Sequence, residues 1–247
     1  MSIDIRPDSR VGELAAENPS TIRVFQRRNI DFCCGGGRSL SSVSDEQGVP
    51  FDALRTELLA AVAAPASEEA SFREAPAAEL IQHILRRYHR TLREELPRLG
   101  GMMDRVVSAH GARHPDLVVA MAETLRAMRA ELEPHMLKEE DAVFPSVLRL
   151  EALAAAGRLD VASREPIEDA IRSLVGEHEL VGGLLRRMRE VTGDFAPPED
   201  ACNTFRGLLH GLAELETDLH RHIHLENNVL FPTASHLLAT AAVDSQN

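Results

Sequence analysis

One sequence motif occurs twice in the chain, as HMLKEEDAVFP at residues 135–145 and as HIHLENNVLFP at residues 222–232. In each copy a glutamate follows the first histidine by four residues, and a Phe-Pro pair begins five residues after that glutamate. Residues four apart lie on one face of an α-helix, so each copy places an imidazole beside a carboxylate. A further histidine precedes each copy, His89 in the first half and His178 in the second, which extends the repeat to two matching sets of three residues.

Four long segments around this repeat have the apolar periodicity of bundle helices. Apolar residues recur at steps of three and four over residues 81–103, 118–142, 167–188 and 208–229, which is the spacing of a helix-packing seam. The sequence therefore predicts an all-α protein with an up-down-up-down four-helix bundle over residues 78–240. The polar breaks in the seams are His89, His135, Glu139, His178, His222 and Glu226.

These six polar residues predict a metal centre inside the bundle. A buried polar group without a partner costs roughly 2–7 kcal/mol, so six of them would exceed the net stability of ~5–15 kcal/mol that a domain usually has. Imidazole and carboxylate ligands suit iron, manganese or zinc, and two carboxylates from opposite helices can bridge two ions. A single such histidine is more often a hydrogen-bonded core residue, but six in register favour a dinuclear site. The absence of HExxH and Glu-x-x-His motifs argues against a zincin protease and a ferritin-like carboxylate site.

Two further acidic residues are candidates for supporting roles at this centre. Glu131 precedes His135 by one helical turn, and Glu177 adjoins His178. Both could hydrogen-bond the ligands or line an access path. A solvated acidic position would have the same sequence signature, so both interpretations stay open.

The other histidines do not share the register of the repeat. His220 and His224 are four residues apart but point away from the face of His222 and Glu226, so we expect them to be exposed. We interpret the rest as surface or ordinary packing residues, namely His83, His110, His114, His210 and His236.

The residues before the bundle predict a separate, small helical domain over 1–64, followed by a linker over 65–77. The linker contains APASEEASFREAP, an Ala/Ser/Glu stretch framed by prolines. Breakers divide the N-terminal domain into short helices at residues 11–17, 20–28, 40–47 and 51–63. The sequence thus predicts a domain of four short helices whose size is close to the lower limit for independent folding.

The N-terminal domain contains two adjacent cysteines in the turn DFCCGGG at residues 31–37, which is too glycine-rich to be helical. Cys33 and Cys34 could be small apolar packing residues. The flexible glycines favour an exposed, reactive thiol pair instead. Cys202 precedes the fourth periodic segment and is interpreted as inert.

Composition excludes several broad classes of function. The formal net charge of −12 argues against a nucleic-acid binder and against a protein that binds anionic lipid surfaces. The first residues lack the apolar core of a secretory signal, and the apolar stretches are too short to span a membrane. Three cysteines do not form a disulfide framework. We therefore expect a cytoplasmic protein.

Five stretches together resemble a known family: DFCCGGG (31–37), RYH (87–89), HMLKEEDAVFP (135–145), EHE (177–179) and HIHLENNVLFP (222–232). They are similar to the "repair of iron centres" family, bacterial iron–sulfur cluster repair proteins that join an ScdA-type N-terminal domain to a hemerythrin-like bundle. The resemblance extends from about residue 10 to about residue 236. The family's six metal ligands fall on His89, His135, Glu139, His178, His222 and Glu226.

The resemblance implies two non-haem irons per chain, bridged by Glu139, Glu226 and an oxo-type ligand. It implies repair of iron–sulfur proteins damaged by nitrosative or oxidative stress, through iron delivery and through binding or reducing nitric oxide. It also implies a thiol role for Cys33 and Cys34, in redox chemistry or in relaying nitric oxide or iron, and a homodimer. Four imidazoles and two carboxylates leave irons that prefer five or six ligands with an open position for a diatomic molecule.

Two alternatives remain open at the level of sequence. One is an enzyme, a nitric oxide reductase that turns over at the di-iron site. The other is a hemerythrin-like sensor of O2 or nitric oxide, which would bind gas reversibly, retain its iron and leave the cysteine pair unexplained.

Overall fold

The computed structural model describes residues 4–63, 72, 75–158 and 164–244. Over these residues the fold is all-α, with no strand and one isolated antiparallel bridge between Arg10 and Ser39. The predicted fold class is confirmed. Most of the predicted linker over 65–77 lies outside the described residues. None of the described helices is both long and apolar enough to cross a membrane.

The N-terminal domain contains four short helices. They are α1 (Val11–Glu17), α2 (Ile22–Arg27), α3 (Leu40–Gln47) and α4 (Phe51–Val62), with a 3₁₀ turn (Pro19–Thr21) leading into α2. The helices predicted at 11–17 and 40–47 are confirmed at both ends. The helix predicted at 20–28 is divided between the 3₁₀ turn and α2, and α4 ends one residue earlier than predicted.

Helix α3 illustrates how local sequence fixes these bounds. The Ser39 side chain caps its first turn by accepting a hydrogen bond from the backbone N–H of Ser42 at 3.2 Å. Gly48 ends the helix in the left-handed conformation, with φ of 64°, where glycine has no steric penalty. The preceding turn at 31–37 is non-helical, as predicted.

The bundle consists of four long helices, three of which contain a π-helical turn. The first bundle helix is α5 (Ala77–Ile84), a π turn (Leu85–His89) and α6 (Arg90–His110). The second is α7 (Pro115–Lys138), a π turn (Glu139–Val143) and α8 (Phe144–Ala155). The third is α9 (Arg164–Val191), and the fourth is α10 (Asn203–Leu225), a π turn (Glu226–Leu230) and α11 (Phe231–Asp244). Consecutive bundle helices pack as neighbours, and α10 packs against α6 to close the bundle.

The repeated Phe-Pro pair directly follows two of the three π turns. A proline within a helix lacks the N–H donor, and its ring clashes with the carbonyl four residues earlier. For Pro145 and Pro232 those carbonyls belong to Asp141 and Asn228, which both lie inside a π turn. The extra residue of the wider turn relieves the clash without ending the helix. Each predicted glutamate ligand is therefore the first residue of a π turn that a Phe-Pro pair follows.

Apolar side chains enclose the predicted ligands from both ends of the bundle. One buried cluster, which includes Leu92, Met121 and Leu208, lies toward the loops that join the first helix to the second and the third to the fourth. The other, which includes Phe144 and Phe231, lies toward the opposite end. The polar layer between them is therefore shielded from water, and its charges interact in a low-dielectric environment.

The N-terminal domain packs against the third and fourth bundle helices. Gly12 lies so close to Asn228 that a Cβ atom at residue 12 would be 2.4 Å from Asn228 Oδ1. Asn228 donates through Nδ2 to the carbonyl of Phe32 at 3.4 Å. At α9, a Cβ atom at Gly182 would be 3.2 Å from Cys34 Sγ. Glycine at these positions permits the close approach of the two domains.

This packing contradicts the expectation that His220 and His224 are exposed. His224 is only 2% exposed, and its ring meets the edge of Phe32 at a centroid distance of 5.4 Å. His220 is half-buried against the same phenylalanine at 6.1 Å. Burial lowers the pKa of His224 to about 4. The periodicity of the bundle did not reveal that a second domain covers this face.

Candidate metal centre

The structure brings all six predicted ligands together in the bundle interior, each at most 2% exposed. They form two overlapping groups within which the ligand atoms lie within 4.8 Å of one another. Position 1 consists of His89, Glu139, His222 and Glu226, and position 2 consists of His135, Glu139, His178 and Glu226. Both positions share the two glutamates. Each takes one histidine from each half of the repeat, so the repeat's pseudo-two-fold relation exchanges the two positions.

The histidines direct their Nε2 atoms toward each other across each position. His89 Nδ1 donates to Glu140 at 2.7 Å, and His135 Nδ1 donates to Glu177 at 2.9 Å. A neutral imidazole that donates from Nδ1 carries a lone pair on Nε2. Nevertheless His89 Nε2 lies 3.2 Å from His222 Nε2, and His135 Nε2 lies 3.0 Å from His178 Nε2. Two lone pairs would repel each other at these distances, so each pair of nitrogens must share a proton or a metal ion.

Three of the four oxygens of the two shared carboxylates lack a hydrogen bond within the described part of the chain. Glu139 approaches His89 Nε2 and His135 Nε2 at 3.3 Å, yet neither of its oxygens makes a hydrogen bond within the described part of the chain. Glu226 Oε1 accepts from His222 Nε2 at 2.9 Å, whereas Oε2 has no hydrogen bond there. Oxygens that are buried and unpaired in this way fit a site that holds two cations bridged by carboxylates.

The pKa values of these groups reflect the burial of charge. Burial lowers the pKa of His135, but the nearby negative charges of Glu139 and Glu226 outweigh burial and raise it to about 9. The pKa of His89 is raised for the same reasons. Burial raises the pKa of Glu226, but His222 and His178 hold it well below its ordinary value. Without metal, protons on the histidines would balance the carboxylates, so metal and protons compete for this site.

Hydrogen bonds to neighbouring side chains orient three of the four histidines. Besides the bonds of His89 and His135, His178 Nδ1 donates to Asn227 Oδ1 at 2.8 Å. The acidic partners are themselves anchored. Arg93 donates to both oxygens of Glu140 at 2.8 Å, and Lys138 pairs with Glu177. Partners of this kind fix the tautomer and the ring orientation of a metal-binding histidine.

Sequence reasoning identified only part of this set of supporting residues. It named Glu177, which does contact a ligand. It missed Glu140 and Asn227, although each directly follows a shared glutamate in the repeated motif. It also named Glu131, which is half-buried and makes no hydrogen bond or ion pair with the six ligands among the described side chains.

The fourth histidine, His222, has a different environment. Its Nδ1 is buried without a hydrogen-bond partner among the described residues. Its ring stacks on Tyr88, with centroids 5.3 Å apart and an interplanar angle of 4°. Tyr88 precedes His89 as Glu177 precedes His178, so it occupies the repeat position of that glutamate. Aromatic packing here takes the place of a hydrogen bond.

The cysteine pair lies in the contact between the domains. Cys33 is buried, which contradicts the expected exposure of both thiols, and Cys34 is half-buried. The hydrogen bond with Cys34 and burial raise the pKa of Cys33 well above its ordinary value, so its thiolate is disfavoured. The two sulfurs are 3.8 Å apart as free thiols. Cys34 Sγ donates to the carbonyl of His178 at 3.2 Å, which links the pair to position 2. Their thiol role stays a prediction.

Among the grooves on the described part of the chain, two are relevant to the centre. One, of about 540 Å³, is lined by His222, Tyr88 and Leu219 and opens between the first and fourth bundle helices beside position 1. The other, of about 550 Å³, is lined by Cys34, Asp31 and Arg186 at the contact between the domains.

Comparisons with known proteins agree with this architecture. The hemerythrin HHE cation-binding domain family matches residues 80–234, and a domain family of unknown function, ScdA_N (DUF542), matches residues 7–62. The iron–sulfur cluster repair protein YtfE of Yersinia pseudotuberculosis (serotype IB, strain PB1/+) is 38% identical over 94% of this chain and 98% of its own length. The protein of the same name from Cronobacter sakazakii (strain ATCC BAA-894) is 37% identical over 92% of this chain and 96% of its own length. The chain therefore belongs to the hemerythrin HHE cation-binding family and, over nearly its whole length, to the family of proteins named iron–sulfur cluster repair protein YtfE.

Proposed function

We propose that the chain holds two iron ions and uses them to repair iron–sulfur proteins damaged by nitrosative or oxidative stress. The observation that carries this proposal is the pair of positions that share Glu139 and Glu226. The mixture of imidazole and carboxylate ligands suits iron. The relatives named above are called iron–sulfur cluster repair proteins, which supports the same activity here.

The protein residues leave each iron incompletely coordinated. Each position offers two histidines and two shared carboxylates, which is fewer than the five or six ligands that we expect iron to take. The bound irons would supply redox chemistry and exchangeable coordination sites for nitric oxide or O2. The protein's own part is to hold the six ligands in place, to exclude water with the apolar clusters on both sides, and to take up protons on His89 and His135 when metal leaves.

The proposed repair proceeds by donation of iron to a damaged iron–sulfur protein. The groove beside position 1 supports this because it brings the surface to the buried ligand His222. A site with only two anionic ligands for two ions also holds iron less firmly than a cage of carboxylates. Donation would consume the irons of this chain, whereas reduction of nitric oxide would retain them.

Two measurements test the proposal. Metal analysis of the purified protein should find about two iron ions per chain. The reduced, loaded protein is then mixed with an iron–sulfur enzyme inactivated by nitric oxide. We expect the enzyme to regain activity while this chain loses iron in proportion.

The alternatives give different results in the same assay. Repeated consumption of nitric oxide with an electron donor, without loss of iron, would identify a nitric oxide reductase. Reversible gas binding with iron retained and no recovery of the damaged enzyme would identify a sensor. Either result would contradict iron donation.

A further inference from the structure

We propose that His110, His114 and Asp200 form a second, mononuclear metal site at the far end of the bundle, for a divalent first-row transition ion such as Zn²⁺ or Fe²⁺. His110 is the last residue of α6, His114 directly precedes α7, and Asp200 lies in the segment between α9 and α10. Helix α6 has 21 residues, so at 1.5 Å per residue this cluster is about 30 Å from the ligands of the bundle centre.

The three side chains lie close enough together to share one ion. Each offers one ligand atom, and these atoms lie within 4.8 Å of one another. His114 Nε2 and Asp200 Oδ1 are already 2.8 Å apart. Two imidazoles and one carboxylate are the ligands of the facial triad that binds iron(II), and they also suit zinc. Three protein ligands leave positions for water or for a small ligand.

A second observation points to a missing ligand at this cluster. His110 is 3% exposed, and its Nδ1 is buried without a hydrogen-bond partner among the described residues. A buried polar atom without a partner is costly. The ring of Phe205 packs against His110 at a centroid distance of 5.3 Å and limits the ring's freedom to turn toward water.

Arg113 completes the arrangement by holding the carboxylate. Its guanidinium donates to Asp200 Oδ2 at 3.0 Å, which leaves Oδ1 for His114 or for a metal ion. A purely structural clasp between the two loops would need only the bonds that Asp200 makes with His114 and Arg113. Such a clasp would leave the buried imidazole of His110 without a polar partner among the described residues, whereas a metal ion shared by the three side chains would give it one.

Titration of the purified, metal-loaded protein with Co²⁺ tests the proposal. The d–d absorption bands of Co²⁺ report binding to protein ligands, while the spectrum of the bundle centre shows that its metals stay in place. We expect the unmodified protein to bind about one additional Co²⁺ per chain. His114→Asn and Asp200→Asn should weaken that binding at least tenfold without changing the spectrum of the bundle centre.

The matched control is His210→Asn, which changes an exposed histidine of α10 outside the cluster and should bind Co²⁺ as the unmodified protein does. His114 is half-buried and Asp200 is exposed, so their variants should fold. As a second readout, added Zn²⁺ should raise the melting temperature of the unmodified protein but not that of Asp200→Asn. Equal Co²⁺ binding by all four proteins, or no binding beyond the bundle centre, would overturn the proposal.

Discussion

Position 1 lies beside an open groove, whereas position 2 lies beneath the N-terminal domain. The groove reaches His222 of position 1. At position 2, the backbone of His178 accepts a hydrogen bond from Cys34 of the N-terminal domain. The repeat therefore duplicates the ligands but not their surroundings. Each of the two positions consists of two histidines and two shared glutamates. The positions differ in their neighbours, which are a surface groove at position 1 and the N-terminal domain at position 2.

The two positions also differ in how their histidines are supported. At position 2, Glu177 and Asn227 each accept a hydrogen bond from a ligand. At position 1, His89 alone has such a partner among the described residues, Glu140, and Tyr88 stacks on His222. Hydrogen bonds of this kind raise the affinity of a histidine for metal. We therefore expect position 1 to lose its metal before position 2 does. We expect that metal to leave through the groove beside position 1.

Removing a shared carboxylate should weaken metal binding at both positions, so it is expected to have the largest effect. Glu226→Gln keeps the shape of the side chain but removes a charge that both positions use. We expect metal content to fall from about two ions per chain to nearly zero, as measured by metal analysis after purification. Glu131→Gln is the matched control, since Glu131 belongs to neither position. Loss of metal in the control, or retention of both ions in Glu226→Gln, would refute the shared-carboxylate arrangement.

The pH dependence of the metal-free protein should differ from that of the loaded protein. The pKa of His135 is raised from 6.5 to about 9 in the folded chain. Protonation of His135 therefore stabilises the folded metal-free protein. This contribution is complete below pH 6.5 and is lost as the pH rises through 9. The loss should be on the order of 3 kcal/mol in the free energy of unfolding. Urea unfolding between pH 6 and pH 10 measures it. In the loaded protein the metal replaces the proton, so the same decline there would contradict metal binding at His135.

Exchanging the supporting carboxylates one at a time should sharpen the difference between the positions. Glu177→Gln weakens the support of His135 at position 2, and Glu140→Gln weakens that of His89 at position 1. Each change should reduce metal affinity at its own position by about 10- to 100-fold. Removal of metal by a coloured chelator should be biphasic in the unmodified protein. Glu140→Gln should accelerate the fast phase and Glu177→Gln the slow phase, and the opposite assignment would reverse our order of release.

The clustering of the six predicted ligands could be predicted from the sequence because each of them interrupts an otherwise apolar helical seam. Glu177 could also be named from the sequence, because it adjoins His178. Glu140 and Asn227 could have been predicted as well, because the repeat aligns them directly after Glu139 and Glu226. The effect of Phe-Pro on the backbone was missed, since a proline after a helical stretch ordinarily indicates a helix end, whereas here a π turn accommodates it.

The burial of Cys33 and His224 could not be predicted from either domain alone. Both residues lie in the contact between the N-terminal domain and the bundle, and a periodic pattern describes how a helix packs within its own domain. The glycines at residues 12 and 182, which permit that contact, resemble ordinary turn or helix glycines in the sequence. Only the docked arrangement gives these residues a role.

The smallest expected effect concerns the link between the N-terminal domain and position 2. Cys34→Ala removes the hydrogen bond to the carbonyl of His178, which is worth about 1 kcal/mol, and leaves the six ligands intact. We expect the slow phase of metal removal to accelerate a few-fold and the fast phase to stay unchanged, because His178 belongs to position 2 alone. Cys34→Ser keeps a donor at the same place and should behave as the unmodified protein. If Cys34→Ala altered the fast phase instead, the N-terminal domain would be acting on position 1, and its assignment as the cover of position 2 would be wrong.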